Sequence, residues 1–327
     1  MSESLDDFSL SKTIKHKGSL QKIGIVGCGS MGQQISILVS QSGLEVIFID
    51  ITEEHVKQSF EGISEMLDDR ISKWGLTGNE KKLILSRIRG SVNYIDIADC
   101  DLIIEAVNTN LKGTQLEVRK DIFRRIESVV RPDAIIASNT ATLMISDIAE
   151  VLDYPERAVA LHFLSPVRKV NIIELVRSVH TNEETLAMVT KFARMIDRRL
   201  IHVNESAGHI STRIICSLIN ESCQLLMEGV ATITDIDDTM KEASGHQFGP
   251  FELADRIGLD KLLKWMENLY AEFGDTKYKP CPIIKRMVRA NLLGRHTGEG
   301  FYKYNDGKKI AKKGPISNLG RELNGSY

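Results

Sequence analysis

An apolar run, Ile23 to Val26, leads directly into three glycines, Gly27, Gly29 and Gly32, spaced G-x-G-x-x-G. A helical pattern follows, with Ile35, Leu38 and Val39 on one face, and Gly43 ends it. Val46 to Ile49 then reads as a second buried strand, and Asp50 stands at its carboxyl end, 23 residues after Gly27. Strand, glycines, helix, strand and acid in that order leave few folds open. The first glycine permits a tight turn, the second lets backbone approach a pyrophosphate, and the third lets helix and strand pack closely. The unpaired N–H groups at the helix start would hold the pyrophosphate, and Asp50 would accept hydrogen bonds from the adenosine ribose. A carboxylate there repels a 2′-phosphate, and no Arg or Lys follows within a few residues, so NAD is expected rather than NADP.

Composition limits the alternatives. The 327 residues are enough for two domains, with 42% hydrophobic and 26% charged residues and a net charge of −2. Neither nucleic acid nor a membrane surface is expected as a main partner, and no apolar run approaches the ~18 residues of a spanning helix. The first 20 residues lack the apolar core of a signal peptide and carry Glu3, Asp6 and Asp7, so a flexible tail is expected over 1–20. The five cysteines show no C-x-x-C spacing and read as reduced residues of a cytoplasmic protein, with no metal site expected.

Beyond Asp50, helices are expected over 53–74 and 80–88, with Ile63, Met66, Leu67, Ile71 and Trp74 on the core face. Strands are expected near Ser91–Asn93 and over Leu102–Val107, Ala134–Ser138, Val159–Leu161, Val170–Val176 and Leu200–Val203, with helices over 115–130 and 182–197 between them. This alternation predicts an α/β domain over 21–204: a Rossmann-type, doubly wound, mostly parallel sheet. From Ser206 the pattern becomes helix after helix: Ile210–Glu228, one capped by Asp235 and running through Ala243, Pro250–Ile257, Leu259–Phe273 and Pro282–Leu292. An all-α domain over 205–304 and a polar tail over 305–327 are therefore expected.

Oxidising an alcohol requires a group that takes the hydroxyl proton as hydride leaves carbon, and His suits that task near neutral pH. Of eight histidines, His162 is the one at a strand's carboxyl end in the nucleotide-binding half. Glu174 lies twelve residues later on the next strand, where a carboxylate would fix the ring tautomer and stabilise the imidazolium. By spacing alone, a structural histidine fits as well as a catalytic one.

Six ordered motifs carry a wider resemblance: Gly27–Gly32 with Asp50; Asp101-Leu102-Ile103-Ile104-Glu105-Ala106; Ala137-Ser138-Asn139-Thr140; His162-Phe163 and Pro166-Val167 through Glu174; Gly249-Pro250-Phe251-Glu252-Leu253 with Gly258-Leu259-Asp260; and Gly294 with Thr297-Gly298-Glu299-Gly300-Phe301-Tyr302. Together they make residues 20 to 304 similar to the L-3-hydroxyacyl-CoA dehydrogenase family. The resemblance implies NAD-dependent oxidation of a 3-hydroxyacyl-CoA, with His162 as general base, Glu174 as its orienting partner, and a homodimer formed through the C-terminal domain. It implies cofactor contacts from Ser30, Met31, Glu105, Ala106, Val107, Arg119, Asn139 and Ser165 beside the glycines and Asp50. Substrate contacts would come from Lys73, Ala141 and Thr212, the last polarising the substrate carbonyl.

The chain also departs from the family pattern. Ala141 stands for a Ser, Ser165 for an Asn, Thr212 for the polarising Asn, and His296 for a Lys. The family's Glu–Lys pair after Glu105 is read as missing, with Asn108–Gln115 about five residues longer and Arg119 nearest the Lys. With base and partner intact and the polarising shell altered, a working dehydrogenase of changed preference or reduced rate is expected, acting on short acyl chains. The alternatives are the same chemistry on a hydroxyacyl carrier protein or a free hydroxy acid, or an NAD-binding protein without catalysis.

Overall fold

The computed structural model describes residues 20–107, 115–305 and 308–311. The expected N-terminal tail, apart from Leu20, lies outside them, as do residues 108–114 of the expected insertion and the chain beyond 311. The chain divides into two compact units. The first ends at Thr140 and resumes over Ile145–His202; the second takes Ala141–Met144 and the described chain from Val203 onward.

The first unit opens with β1 (Lys22–Val26), α1 (Ser30–Gln41), β2 (Glu45–Ile49), α2 (Glu53–Ser72), α3 (Gly78–Ser86) and β3 (Ile88–Ser91). It continues with β4 (Leu102–Glu105), α4 (Gln115–Glu127), β5 (Ile135–Ser138), α5 (Ile145–Ala149), β6 (Ala158–Phe163), β7 (Ile172–Arg177), α6 (Glu183–Met195) and β8 (Arg199–Val203). The strands form one sheet in the order β3-β2-β1-β4-β5-β6-β7-β8. From β3 through β6 every pairing is parallel, and β7 returns antiparallel to β6. Strands β4, β5 and β6 are buried along their whole length, which is why they read as unbroken apolar runs rather than alternating ones. Chain order reverses beside β1, between β2 and β4, and open sheets of this kind take ligands at the carboxyl ends of the strands beside such a reversal.

Several expected boundaries move for identifiable reasons. Helix α2 ends at Ser72 with Lys73 as its C-cap, so Trp74, expected in the core, stands beyond the helix and is 97% exposed. Thr77 and Glu80 form a capping box that starts α3 at Gly78, two residues early, and the next strand accordingly covers Ile88–Ser91 instead of Ser91–Asn93. Val107 lies past the end of β4, and Asn171 just before β7. Leu20, assigned to the tail, is buried in this unit's core.

The second unit contains α7 (Ser211–Met227), α8 (Ile233–Ser244), α9 (Pro250–Ile257), α10 (Leu259–Phe273) and α11 (Pro282–Arg289), packed around their own core. Its α8 is capped by Thr232, whose hydroxyl accepts from the Asp235 N–H; Asp235 itself lies in the first turn and is not the cap. The unit is not purely helical. Strands β9 (Lys303–Asn305) and β10 (Lys308–Ala311) pair antiparallel, so the segment expected as a polar tail begins as a ribbon. All five cysteines are buried and unbridged.

The turn before β9 is fastened by one acid. Asp255 of α9 accepts from the N–H groups of Phe301 and Tyr302 at 2.8 and 2.9 Å and from the Tyr304 hydroxyl at 2.9 Å. A Cβ on Gly300 would meet its Oδ1 at 2.1 Å, so glycine is required there. Burial pushes the Asp255 carboxyl up to about 6. Asp255→Asn would turn an acceptor into an NH₂ donor facing other donors, and a loss of about 2–4 kcal/mol is expected in urea unfolding at pH 7.5. The folded-state pKa lies above the unfolded value, so this carboxyl's contribution is complete below about pH 4 and falls as pH rises to about 6. The same titration of Asp255→Asn should lack that decline.

Candidate active site

The glycine turn fits a dinucleotide by three separate tests. A Cβ on Gly27, which has φ +90°, would stand 2.9 Å from the Val107 backbone, and one on Gly32 would stand 2.2 Å from the Gly27 carbonyl oxygen. Nothing lies within 4 Å of the same point on Gly29, so that glycine faces open space where a ligand's backbone can approach. Gly29 is also the N-cap of α1 and supplies no side-chain hydrogen bond, so the first-turn N–H groups around exposed Ser30 and half-buried Met31 have no side-chain cap.

Asp50 is fastened to this turn. Its Oδ2 accepts from the Cys28 N–H at 3.0 Å and its Oδ1 from the Ile51 N–H at 2.8 Å. Both bonds orient the carboxylate at the end of β2, beside the turn that follows β1.

At the end of β4, fully buried Glu105 joins several elements. Its Oε1 accepts from the Val107 N–H at 2.7 Å. Its Oε2 accepts from the Ser138 hydroxyl at 2.6 Å and from Arg119 Nε at 3.2 Å. Arg119 Nη2 donates to the Val107 carbonyl at 3.0 Å. This ion pair uses Glu105 itself and so is not the Glu–Lys pair expected after Glu105–Ala106; its Arg119 is set one helix turn into α4. Sequence spacing across the insertion could not reveal it. Next along the sheet, Asn139 donates its N–H to the Glu105 carbonyl at 2.7 Å and accepts from the Phe163 N–H at 2.8 Å, linking β4, β5 and β6. Ala106 donates to the Val26 carbonyl at 2.8 Å. Ser138, which the sequence marked only as a polar strand end, is the missed member of this set; a Ser at the end of an apolar strand was its one visible signal.

His162 and Glu174 are directly opposed partners on antiparallel β6 and β7. His162 Nδ1 lies 2.8 Å from Glu174 Oε2, with the two residues 6% and 2% exposed. A buried carboxylate at that nitrogen holds the Nδ1–H tautomer and makes Nε2 the basic nitrogen. Ser165 is exposed in the loop after β6.

The substrate-binding candidates are distributed differently. Lys73 caps α2 on the surface and binds both Asp69 oxygens, at 2.5 and 2.7 Å. Ala141 and Thr212 belong to the second unit, where Thr212 is buried in the first turn of α7. The first unit by itself thus brings together the glycine turn, Asp50, Glu105 with Arg119 of α4, Asn139 and the His162–Glu174 pair, at the sheet edge where β1, β2, β4, β5 and β6 end and antiparallel β7 begins.

Comparison with known proteins shows which family the two units resemble. The family model for the NAD-binding domain of 3-hydroxyacyl-CoA dehydrogenase matches residues 22–206, and that for its C-terminal domain matches residues 208–304. A protein of Deinococcus radiodurans named a probable 3-hydroxybutyryl-CoA dehydrogenase is 36% identical over 283 residues, covering 86% of this chain and all of that one. The crystal structure of (S)-3-hydroxybutyryl-CoA dehydrogenase PaaH1 from Ralstonia eutropha superposes with a TM-score of 0.80 at 38% identity, covering 88% of this chain and all of that one. FadB2 of Mycobacterium tuberculosis superposes with a TM-score of 0.84 at 30% identity over the same shares. NAD is the cofactor that the first domain is built for. With one family's two domains matched in order across nearly the whole described chain, this protein belongs to the 3-hydroxyacyl-CoA dehydrogenase family.

Proposed function

We propose that the protein oxidises the 3-hydroxyl of a short-chain L-3-hydroxyacyl-CoA to the ketone, and catalyses the reverse reaction, with His162 as the proton acceptor. The observation that carries this reading is the buried Nδ1–Oε2 contact of 2.8 Å, placed at a strand end in the NAD-binding unit. His162 takes the hydroxyl proton at Nε2, Glu174 stabilises the imidazolium that results, and in the reverse direction the same nitrogen returns the proton. Bound NAD supplies the acceptor for the hydride that leaves C3. Gly29 and the start of α1 hold the pyrophosphate, Asp50 the adenosine ribose, and Glu105, Ala106, Val107, Arg119, Asn139 and Ser165 line the remainder of the cofactor site. Thr212 polarises the substrate carbonyl with a shorter reach than Asn, while Ala141 supplies no hydrogen bond.

The short chain length follows the relatives, several of which are named for the four-carbon substrate. Homodimerisation through the second unit is supported by apolar residues left exposed there: Ile210 and Ile214, one turn apart, and Met227 and Val230 at the far end of α7. Sedimentation velocity measures that state. The function is tested by following NADH formation from 3-hydroxybutyryl-CoA, a 3-hydroxybutyryl carrier protein and free 3-hydroxybutyrate in parallel. Turnover of the CoA thioester well above the other two is expected. Turnover of the free acid alone would overturn the substrate reading, and NAD binding with turnover of none would leave a binding protein.

A further inference from the structure

Gln34 joins two parts of the first unit that are far apart in the chain. It lies in the second turn of α1, one turn after Ser30, and its amide bonds on both sides. Nε2 donates to the Ser30 carbonyl at 3.1 Å, and Oε1 accepts from the Val167 N–H at 3.1 Å, 133 residues away. The donor and acceptor ends of the amide are thus both committed, which fixes its orientation. Its neighbour Gln33 turns toward α2, where a Cβ on Gly62 would stand 2.6 Å from the Gln33 Oε1. Of the two glutamines, Gln34 is the one that reaches toward β6 and β7.

Val167 is the fixed point of the loop between those strands. Its side chain is 2% exposed and packs in the core of the first unit. Its N–H is taken by Gln34, and its carbonyl accepts from Arg198 Nη2 at 3.3 Å. The Pro166 carbonyl closes a turn by accepting from the N–H groups of Lys169 and Val170 at 2.9 and 3.2 Å. Ser165 and Pro166, just upstream, are exposed. His162 lies five residues before Val167, and Glu174 seven residues after it. The loop that runs from the base to its orienting partner is therefore tied, at one residue, to the helix whose first turn is proposed to hold the pyrophosphate. A buried N–H needs an acceptor, and a carbonyl of the loop itself would suffice. An acceptor borrowed from α1 makes the position of the loop depend on the glycine turn.

We propose that Gln34 is a positioning residue for hydride transfer: it holds the β6–β7 loop at a fixed distance from the pyrophosphate cradle, so that the reacting half of NAD is placed beside His162. The proposal rests on the assignment of His162 as proton acceptor and adds the residue that sets its spacing from the cofactor. The adenosine half needs no such help, since the glycine turn and Asp50 belong to one β1–α1–β2 unit. The nicotinamide half has to reach a residue on β6, and the Gln34 amide bridges the two. A 1 Å misplacement of reacting groups can lower a rate by about 10²-fold, whereas a lost neutral hydrogen bond costs about tenfold or less in an equilibrium. Gln34 therefore matters more to turnover than to cofactor binding.

Two substitutions separate these roles. Gln34→Met fills similar space and removes both bonds. Gln34→Glu keeps an acceptor for the Val167 N–H but puts a negative charge one helix turn from the pyrophosphate cradle. In cofactor-free protein, hydrogen exchange at the Val167 amide should speed up roughly 3- to 10-fold in Gln34→Met and stay at the wild-type rate in Gln34→Glu. Gln34→Met should lower kcat for 3-hydroxybutyryl-CoA about 10- to 100-fold, while Kd for ADP-ribose, which lacks the nicotinamide, stays within about twofold of wild type. Gln34→Glu should do the converse: kcat recovers to within about threefold of wild type, and Kd for ADP-ribose rises about 2- to 10-fold. Wild-type kcat in Gln34→Met would overturn the proposal. So would a loss of ADP-ribose affinity as large as the loss of turnover, because Gln34 would then support the helix alone. Unchanged exchange at Val167 in Gln34→Met would overturn it as well, by showing that the bond does not hold the loop. Wild type that turns over no 3-hydroxybutyryl thioester would sink the His162 reading and this proposal with it, whereas an active wild type beside an equally active Gln34→Met sinks the proposal alone.

Discussion

His162→Gln should lower kcat for 3-hydroxybutyryl-CoA by ~10²–10⁴ while NAD affinity stays at the wild-type value. Gln fills similar space and keeps a polar contact to Glu174, so β6 and β7 should stay in register, but it cannot take a proton in the transition state. Glu174→Gln tests the other half of the pair. It keeps the shape and removes the charge that stabilises imidazolium, and its amide can donate to Nδ1, favouring the tautomer with the proton on Nε2. A fall of comparable size is expected, and the double variant should be little worse than either single one, because two residues acting as a unit give non-additive losses. Single-turnover absorbance of NADH, with NAD affinity from calorimetry, separates these cases. If His162→Gln keeps wild-type turnover, the pair is a structural cross-link between two buried strands and the general base lies elsewhere.

The second large effect is on stability. Glu105 is fully buried, and Arg119 is the cation beside its carboxylate. Arg119→Met leaves that charge uncompensated at the end of β4, which typically costs about 3–5 kcal/mol. Glu105→Gln with Arg119→Met removes both charges and should recover a substantial part of the loss, because a paired buried ion set contributes less net stability than breaking it suggests. A double-mutant cycle in urea should give a coupling energy of about 1–3 kcal/mol. Additive losses would mean that Arg119 acts through its bond to the Val107 carbonyl rather than through Glu105.

How much of this was legible in the sequence differs from residue to residue. The glycine turn could be read because three backbone constraints fall on three glycines at fixed spacing, and the structure repeats that logic at Gly27, Gly29 and Gly32. His162 and Glu174 could be named because a short antiparallel return makes spacing a guide to register, and register makes the two residues direct neighbours. The Glu105–Arg119 pair was hidden because a helix's phase cannot be carried through an inserted loop by counting. Trp74 was misplaced because helical periodicity says nothing about where a helix stops, and the capping box that ends the ambiguity lies after it. The ribbon β9–β10 was missed because short strands with charged, exposed residues look like any polar segment. Membership of the second unit by Ala141–Met144 has no local signature at all, since it depends on what those residues pack against.

The hydrogen bonds that hold Asp50 carry a practical consequence for changing coenzyme choice. The carboxylate that would repel a 2′-phosphate is also the acceptor for the Cys28 N–H, inside the turn proposed to receive the pyrophosphate. Exchanging Asp50 for a small or basic residue to admit NADP therefore removes a brace from the phosphate cradle in the same stroke. Any successful conversion must supply a new acceptor for that amide, or accept a looser grip on both dinucleotides. Selectivity and affinity are here mechanically linked through one side chain, and a screen that varies Asp50 alone is searching along a diagonal.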